Sequence, residues 1–198
     1  MPVAKGSTID PARTRAAVIE AATPLLYARG IDGVGVAELS TRLGISKETL
    51  YRHFGTKDGL VRAVLEARSD KVVTWLTEAA AAAGEDPAAR LTAVFRALGE
   101  WYREPAFRGC AMVNAASQHY DHAVRAITAR HLDRCLELFI DIAARAGSAH
   151  PDVLGRQLLI LMEGATTLAA YQGPDQVREQ TCDAALSLLA ATGRADPA

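Results

Sequence analysis

A twelve-residue stretch, from Leu43 to Phe54, constrains the fold of this chain more than any other segment. Its sequence, LGISKETLYRHF, predicts the end of one helix, a tight turn at Gly44 and a short second helix capped by Ser46. Leu50 and Phe54 form an apolar side of that second helix, while its other side is polar. The polar residues are Lys47, Thr49, Arg52 and His53. A short helix that packs on its neighbour and presents a polar surface is typical of helices that enter a DNA groove.

Nearly all of the remaining chain is predicted to be helical as well. Ala, Leu, Arg and Glu dominate the sequence, and alternating runs of β-branched residues do not occur. We therefore predict an all-α protein with about nine helices. After a loose arm over residues 1–9, the predicted helices run from Asp10-Pro11 to Gly30, over 36–43, over 47–54, from a cap at Thr56 into the alanine run at 79–83, and over 88–103, 105–117, 121–146, 152–171 and 175–191.

The sequence predicts two domains, a three-helix domain over residues 1–55 and a larger helical domain over residues 56–198. Three short helices cannot bury much apolar surface by themselves. We therefore expect the fourth helix to join them to the rest of the chain. Its inward-facing residues are predicted to be Leu60, Val64, Trp75 and Leu76.

Composition and motifs narrow the functional classes. The 198 residues are 49% apolar, enough for a buried core, and the net charge is −1. Residues 1–57 carry eight Lys or Arg and five Asp or Glu, whereas residues 58–198 carry fourteen and eighteen, so the N-terminal part is mildly basic. We find no Gly-rich phosphate loop, GxSxG, HExxH or paired-carboxylate motif, so we do not expect an enzyme. No cofactor and no metal are predicted.

Cysteine usage and hydropathy predict a cytoplasmic protein. Cys110, Cys135 and Cys182 are widely spaced and form no CxxC pattern, so a disulfide framework is not expected. The N-terminus lacks a charged region followed by an apolar run, and we expect no signal peptide. The most apolar window, residues 158–171, contains Glu163 and is too short to span a bilayer.

An ordered set of features from Arg13 to Leu60 resembles the N-terminal domain of TetR-family transcriptional regulators. The matching features are Ala21-Ala22, Leu26, Gly30, Val36-Ala37-Glu38-Leu39, Leu43-Gly44-Ile45-Ser46, Thr49-Leu50-Tyr51, His53-Phe54 and Lys57 to Leu60. The resemblance implies a helix-turn-helix DNA-binding domain followed by a helical ligand-binding and dimerisation domain. It further implies a homodimer, joined through the helices at 152–171 and 175–191, that binds a palindromic double-stranded DNA operator. Repression that a small-molecule effector relieves is the expected mechanism.

The same resemblance implies which residues contact DNA. Three of them match residues that usually hold DNA phosphates: Tyr51, His53 and Lys57. Five others fall where the recognition helix meets base edges or the DNA backbone: Ser46, Lys47, Glu48, Thr49 and Arg52. Arg42 is the last of the candidate DNA-binding residues. The chemistry agrees, because ammonium, hydroxyl and phenol groups donate to phosphates and an arginine can bond guanine bidentately.

Gly35 and Glu48 lack the side-chain hydrogen-bond donors that contact with DNA phosphates requires. Gly35 stands where the family commonly has Thr or Ser, so no hydroxyl contact to phosphate is expected there. Glu48 is acidic in a region that faces DNA, and it either accepts from a cytosine amino group or caps the helix.

The resemblance also implies an effector site in the larger domain. The candidate ligand-binding residues are Trp101, Phe107, Cys110, Met112, Asn114, His119, Phe139, Met162 and Glu163. Ordinary core packing is the alternative for the apolar residues, and solvent exposure is the alternative for the polar ones. His119 and His122 make a weak metal-like pattern, for which surface or capping roles are expected.

Other functional classes remain as alternatives. Cys110 is a candidate redox-sensing thiol if Arg108 or a helix start favours the thiolate, whereas a small buried side chain is the simpler interpretation. A helical protein-interaction module is another alternative. Salt separates it from DNA binding, because affinity for DNA falls steeply as salt rises.

Overall fold

The computed structural model describes residues 11–191, and within that range nine α-helices follow one another. They are α1 (Pro11–Arg29), α2 (Val36–Leu43), α3 (Lys47–Phe54), α4 (Lys57–Ala82), α5 (Pro87–Tyr102), α6 (Ala111–Gln118), α7 (His122–Arg145), α8 (Pro151–Leu168) and α9 (Pro174–Ala191). The predicted all-α architecture is confirmed. The predicted arm over residues 1–9 and the predicted start at Asp10 lie outside the described residues. No helix of the described range is long and apolar enough to cross a membrane.

Local sequence signals define α2 and α3, whose bounds agree with the prediction. Gly44 ends α2 with a φ of 63°, a left-handed conformation that glycine adopts without a Cβ clash. The N–H of Ile45 donates to the Ser40 carbonyl at 3.0 Å, so backbone hydrogen bonds close the turn between the two helices. Gly35 precedes α2 in an extended conformation and, lacking a side chain, makes no side-chain cap.

Within the described residues the chain forms two compact units that divide between Arg68 and Ser69, and α4 contributes residues to both. In the first unit, Leu50 of α3 and Leu60 of α4 are fully buried, and Phe54 is 9% exposed. Burying an apolar side chain of this size contributes about 1.5–3 kcal/mol. The predicted apolar side of the recognition helix therefore anchors that helix to the first unit.

The second unit buries a larger core between the C-terminal half of α4 and the helices α5, α7, α8 and α9. Phe95 of α5 stacks on Phe139 of α7, with ring centroids 6.3 Å apart. Leu76 of α4, predicted to face inward, is 1% exposed, and Leu158 of α8 is fully buried. In these helices apolar residues recur every three or four positions, and the face that they form lies toward the core.

The largest difference from the sequence-based prediction concerns α6. The sequence predicts a helix over 105–117, but α6 extends over Ala111–Gln118. Gly109 has a φ of 85°, a left-handed conformation that interrupts a right-handed helix. The side-chain amide of Asn114 donates to the Arg108 carbonyl at 2.6 Å and holds the preceding residues as a loop.

The two C-terminal helices differ from prediction only at their ends. The helix predicted over 152–171 is wrong by three residues at its C-terminus, because α8 ends at Leu168. The N–H of Tyr171 donates to the Leu168 carbonyl at 2.9 Å, which closes a turn in place of a further helical turn. The helix predicted over 175–191 begins one residue earlier, at Pro174.

Candidate nucleic-acid interface

Ser46 fixes the start of α3. Its backbone is extended, with φ −71° and ψ 155°, and its Oγ accepts a hydrogen bond from the Thr49 N–H at 3.0 Å. The same Oγ lies 3.0 Å from the Thr49 hydroxyl. The predicted cap is therefore confirmed, and these two candidate DNA contacts are held together in the protein alone. A recognition helix that is already ordered loses less conformational entropy when it binds.

The helix α3 has one buried side and one side that faces solvent. Leu50 and Phe54 lie on the buried side. The exposed candidates are Arg42, Ser46, Lys47, Glu48, Tyr51 and Arg52, and the half-buried ones are Thr49, His53 and Lys57. Tyr51 is 46% exposed although its side chain is large and aromatic. The solvent-facing side of α3 thus carries polar hydrogen-bond donors. Donors of this kind contact DNA phosphates.

The start of α4 adds donors close to the end of α3 in the chain. Thr56 caps α4, as predicted, because its Oγ1 accepts from the Gly59 N–H at 3.0 Å. Lys57 is the first residue of α4, so its ammonium group belongs to a helix N-terminus with free N–H groups. A helix N-terminus attracts anions, and a lysine at that position strengthens the attraction. This end of α4 is therefore suited to a DNA phosphate.

Arg42 is already paired in the protein alone. Its Nε donates to Oε1 of Glu38 at 3.0 Å, and Arg29 bonds the same carboxylate. A phosphate would have to compete with Glu38 for this guanidinium. Arg42 therefore offers less attraction to DNA than an arginine without a carboxylate partner.

Sequence reasoning misses a contact between α1 and α3. The Arg15 guanidinium lies over the Phe54 ring, with Cζ 5.2 Å from the ring centroid. Exposed cation–π contacts stabilise a fold by about 0.5–1 kcal/mol. The two residues are far apart in the sequence and an arginine on a helix surface is ordinary, so no pattern in the chain indicates this contact.

Four of the effector candidates make contacts that stabilise the second unit. Phe139 stacks on Phe95, and Met112 is 1% exposed. Asn114 holds the loop before α6, and His119 is the C-terminal cap residue of that helix. Among the described residues, no group of three or more His, Cys, Asp or Glu side chains is placed to hold a metal ion. Packing and capping roles thus account for these four positions.

The remaining effector candidates are Trp101, Phe107, Cys110, Met162 and Glu163. The Trp101 and Phe107 rings meet edge to face with centroids 4.8 Å apart. Tyr102 lies against both rings, and burial raises the pKa of its phenol. Glu163 and Cys110 raise that pKa further, to a smaller extent, when they are ionised. Glu163 and Cys110 therefore lie near one aromatic cluster, which we define as Trp101, Tyr102 and Phe107.

Sequence reasoning misses two polar contacts of the second unit, one between Tyr102 and Thr166 and one between His131 and Cys135. The Tyr102 hydroxyl donates to Oγ1 of Thr166 at 3.0 Å, since the Thr166 hydroxyl itself donates to the Met162 carbonyl. His131 and Cys135 are 2% and 1% exposed and lie 3.8 Å apart, from Nε2 to Sγ. The sequence offers one signal for each contact. Thr166 follows Glu163 by three residues and Cys135 follows His131 by four, and these spacings place both residues of each pair on one face of a helix.

Comparison with known proteins shows similarity to one family of regulators. Residues 18–64 match the family model of bacterial regulatory proteins of the tetR family. The crystal structure of a TetR-family transcriptional regulator from Streptomyces coelicolor superposes with a TM-score of 0.84 and 28% sequence identity, covering 91% of this chain and 96% of that chain. The N-terminal segment over residues 18–64 is thus similar to the tetR-family domain, and the fold of the described chain is similar to that of a TetR-family regulator.

The curated relatives of this chain match over a limited segment. The HTH-type transcriptional activator FasR from Mycolicibacterium smegmatis is 32% identical over 75 residues, which are 38% of this chain and 34% of the relative. An HTH-type transcriptional repressor from Mycobacterium tuberculosis is 38% identical over 61 residues, 31% of this chain and 32% of the relative. The chain thus spans about a third of the length of the curated relatives it matches. These names describe transcriptional regulators rather than enzymes, and they include both an activator and a repressor.

Proposed function

We propose that this protein is a homodimeric repressor that binds a near-palindromic DNA operator and is released from it by a small-molecule effector. Residues 1–55 form its DNA-binding domain, and residues 56–198 form its ligand-binding and dimerisation domain. One observation carries the proposal: α3 is capped at Ser46, anchored by Leu50 and Phe54, and polar on its exposed side. A helix with these properties can enter the major groove as an ordered recognition helix and contact base edges.

The candidate contacts divide by the chemistry of their side chains. Tyr51, His53 and Lys57 supply donors to phosphates, which position the head and make affinity depend on salt. Arg52 and Lys47 are exposed on α3 and reach base edges, where a bidentate arginine discriminates guanine by about 1–3 kcal/mol.

The exposed apolar residues of α8 support the homodimer. Val153 is 51% exposed, Ile160 is 65% exposed and Leu168 is 47% exposed, and Tyr171 just beyond α8 is 86% exposed. Soluble proteins rarely leave such a row of large apolar side chains in water. Together with α9, this face would pair with its symmetry mate, and the dimer would place two copies of α3 in major grooves roughly 34–36 Å apart.

Release follows from a difference in affinity between two conformations of the dimer. An effector that binds better to a conformation with incorrectly spaced heads lowers the affinity for the operator. The helix α4 is the element through which this coupling would pass, because it contributes residues to both units.

The experiment that tests the function begins with selection of genomic DNA fragments by the full-length protein. Fluorescence anisotropy on the selected duplex then compares wild type with Tyr51→Ala and Lys57→Ala across a salt series. We expect each substitution to weaken binding, and Lys57→Ala to reduce the slope of log affinity against log salt by about one.

Lys71→Ala is the matched control, because Lys71 is an exposed lysine of α4 in the second unit. It should leave both affinity and slope unchanged. Affinity that is independent of salt, or equal loss in all three variants, would contradict the assignment of α3 and the start of α4 as the DNA-binding surface.

A further inference from the structure

Glu163 is an acidic side chain in an apolar setting without a partner. It is half-buried on α8, next to Met162, which is 3% exposed. Its carboxylate makes no hydrogen bond or ion pair with any residue of the described range 11–191. Burial raises the pKa of this carboxyl to about 7. Buried ionisable groups usually have a partner, so a carboxyl left without one indicates a ligand that supplies it.

The groups around Glu163 come from three other segments. Tyr102 of α5 bonds Thr166, one turn beyond Glu163 on α8, at 3.0 Å. The charge of Glu163 contributes to the raised pKa of the Tyr102 phenol and of the Cys135 thiol on α7. Cys110, from the loop before α6, acts on the same two groups. Tyr102 and Cys135 are neutral acids at pH 7 because their pKa values are raised, and neither can neutralise a carboxylate.

The arginines of the neighbouring segments are engaged elsewhere. Nη1 of Arg108 donates to the Phe107 carbonyl at 2.6 Å. Nη1 of Arg134 donates to Oδ1 of Asp70 at 2.7 Å. Neither of these bonds involves Glu163, and the pKa of Glu163 is shifted by burial rather than by a neighbouring cation.

The aromatic cluster is linked to α8 near this carboxyl, because the Tyr102 hydroxyl bonds Thr166, which lies three residues after Glu163 on that helix. Its ring centroids are separated by 4.8 Å between Trp101 and Phe107, 5.2 Å between Tyr102 and Phe107, and 5.9 Å between Trp101 and Tyr102. Aromatic faces attract cations through their quadrupole, and a nearby carboxylate adds a full negative charge. The combination is the chemistry that recognises ammonium groups attached to apolar bodies.

We propose that the effector of this regulator is an organic cation, whose ammonium group pairs with Glu163 and whose apolar part packs on the aromatic cluster. The proposal rests on the proposed function in one respect, since it takes the second unit as the effector-binding part. A carboxylate in this position repels anionic ligands. A neutral ligand of equal shape lacks the charge that pairs with Glu163.

Three aromatic probes of similar size test the charge requirement on the full-length protein. They are phenyltrimethylammonium, its neutral carbon isostere tert-butylbenzene and the anion benzenesulfonate. Titrations at pH 7.5 follow tryptophan fluorescence. Trp101 belongs to the cluster, and the Trp75 ring meets the Trp101 ring edge to face with centroids 6.3 Å apart. We expect the cation to bind most tightly and the anion least. Equal or tighter binding of tert-butylbenzene, or no binding of the cation at about 1 mM, would overturn the proposal.

Substitution of Glu163 supplies the second arm. Glu163→Gln should weaken phenyltrimethylammonium binding about tenfold or more and leave tert-butylbenzene unchanged. Glu163→Asp should retain part of the affinity for the cation. Glu137→Gln, an exposed acid on α7, is the matched control and should behave as wild type. An unchanged cation affinity in Glu163→Gln, with native circular dichroism, would refute the assignment.

Proton release gives an independent readout. A permanent cation favours the ionised carboxylate, so its binding at pH 7 should expel a fraction of a proton from wild type and none from Glu163→Gln. Calorimetry in phosphate and in Tris buffers measures this fraction.

Operator binding separates failure of this inference from failure of the proposed function. Glu163→Gln should bind the selected operator as wild type does, but phenyltrimethylammonium should no longer displace it. Operator binding with the expected salt dependence, but without the cation preference, would refute the cationic effector alone.

Discussion

The Ser69 hydroxyl lies 3.0 Å from Nδ1 of His131, which joins α4 to α7 inside the second unit. Nε2 of the same imidazole lies 3.8 Å from the Cys135 sulfur, and His131 is 2% exposed. Both ring nitrogens thus have partners in a site closed to solvent. Burial lowers the pKa of His131 to about 4, and the positive charge of Arg134 acts in the same direction.

This burial predicts an acid sensitivity of the fold. The unfolded state protonates His131 near its ordinary pKa of about 6.5, whereas the folded state does so only near 4. Stability from the neutral imidazole is therefore complete above about pH 6.5 and is lost as pH falls toward 4, by on the order of 3 kcal/mol in total. Urea unfolding between pH 4 and pH 7.5 should show this loss. It should be smaller in His131→Gln, because an amide can bond Ser69 without titrating.

The control for this titration is His122→Gln, which removes an exposed histidine from the start of α7. Its pH profile should follow that of wild type. If His131→Gln retains the full wild-type slope between pH 4 and pH 6.5, another group is responsible for the acid sensitivity.

The hydroxyl pair of Tyr102 and Thr166 predicts a coupled loss of stability. Thr166→Val keeps the shape but leaves the buried Tyr102 hydroxyl without its acceptor, at a cost of about 1–3 kcal/mol. Tyr102→Phe in the same background should cost little more. A double-mutant cycle from chemical denaturation measures the coupling, and additive single effects would show that the two hydroxyls do not interact.

The head of the protein is more predictable from sequence than the body, because its structure follows from local chemistry. Gly44 and Ser46 signal a left-handed turn and a helix cap within three residues, and both occur as predicted. The start of α6 depends on Gly109, which has a left-handed φ, and on the Asn114 side-chain amide, which donates to the Arg108 carbonyl. A helical composition across Pro105–Ser117 gives no sign of that loop.

The polar contacts of the second unit were unpredictable for a similar reason. Ser69 and His131 are separated by 62 residues, and Tyr102 and Thr166 by 64. Only the packing of α4, α5, α7 and α8 brings these pairs together. Glu163 could be named as a polar candidate from its apolar window, whereas the lack of a partner for its side chain required the structure.

Two substitutions of the α3 cap residue, Ser46, should separate its contribution to stability from its contribution to DNA binding. Ser46→Ala removes the acceptor for the Thr49 N–H and should lower stability by about 1 kcal/mol. Ser46→Asp restores the cap and the stability, but it places a negative charge where the helix approaches phosphates, so it should weaken operator binding more than Ser46→Ala does. Thermal melts and anisotropy titrations measure the two effects. Equal DNA affinity for both variants would remove Ser46 from the DNA-facing surface.

The buried cysteines predict slow thiol chemistry. Cys110, Cys135 and Cys182 are all buried, and burial raises the pKa of the Cys135 thiol to about 12. We therefore expect a disulfide reagent such as DTNB to modify the folded protein slowly and to modify it fast in urea. Labelling of Cys110 within seconds in the folded protein, lost in Cys110→Ser, would instead support the redox-sensing alternative.

The exposed face of α8 predicts how dimerisation and DNA binding depend on each other. Ile160 is 65% exposed, so Ile160→Glu should barely change the folding of one subunit while placing a charge in the centre of the proposed interface. We expect this variant to be monomeric in sizing with light scattering at micromolar concentration and to lose most of its operator affinity, because a single head contacts only one half-site. Tyr120→Glu is the matched control, since Tyr120 is 90% exposed and lies outside α8 and α9. A wild-type monomer, or a dimeric Ile160→Glu variant with native affinity, would place the subunit interface on another surface.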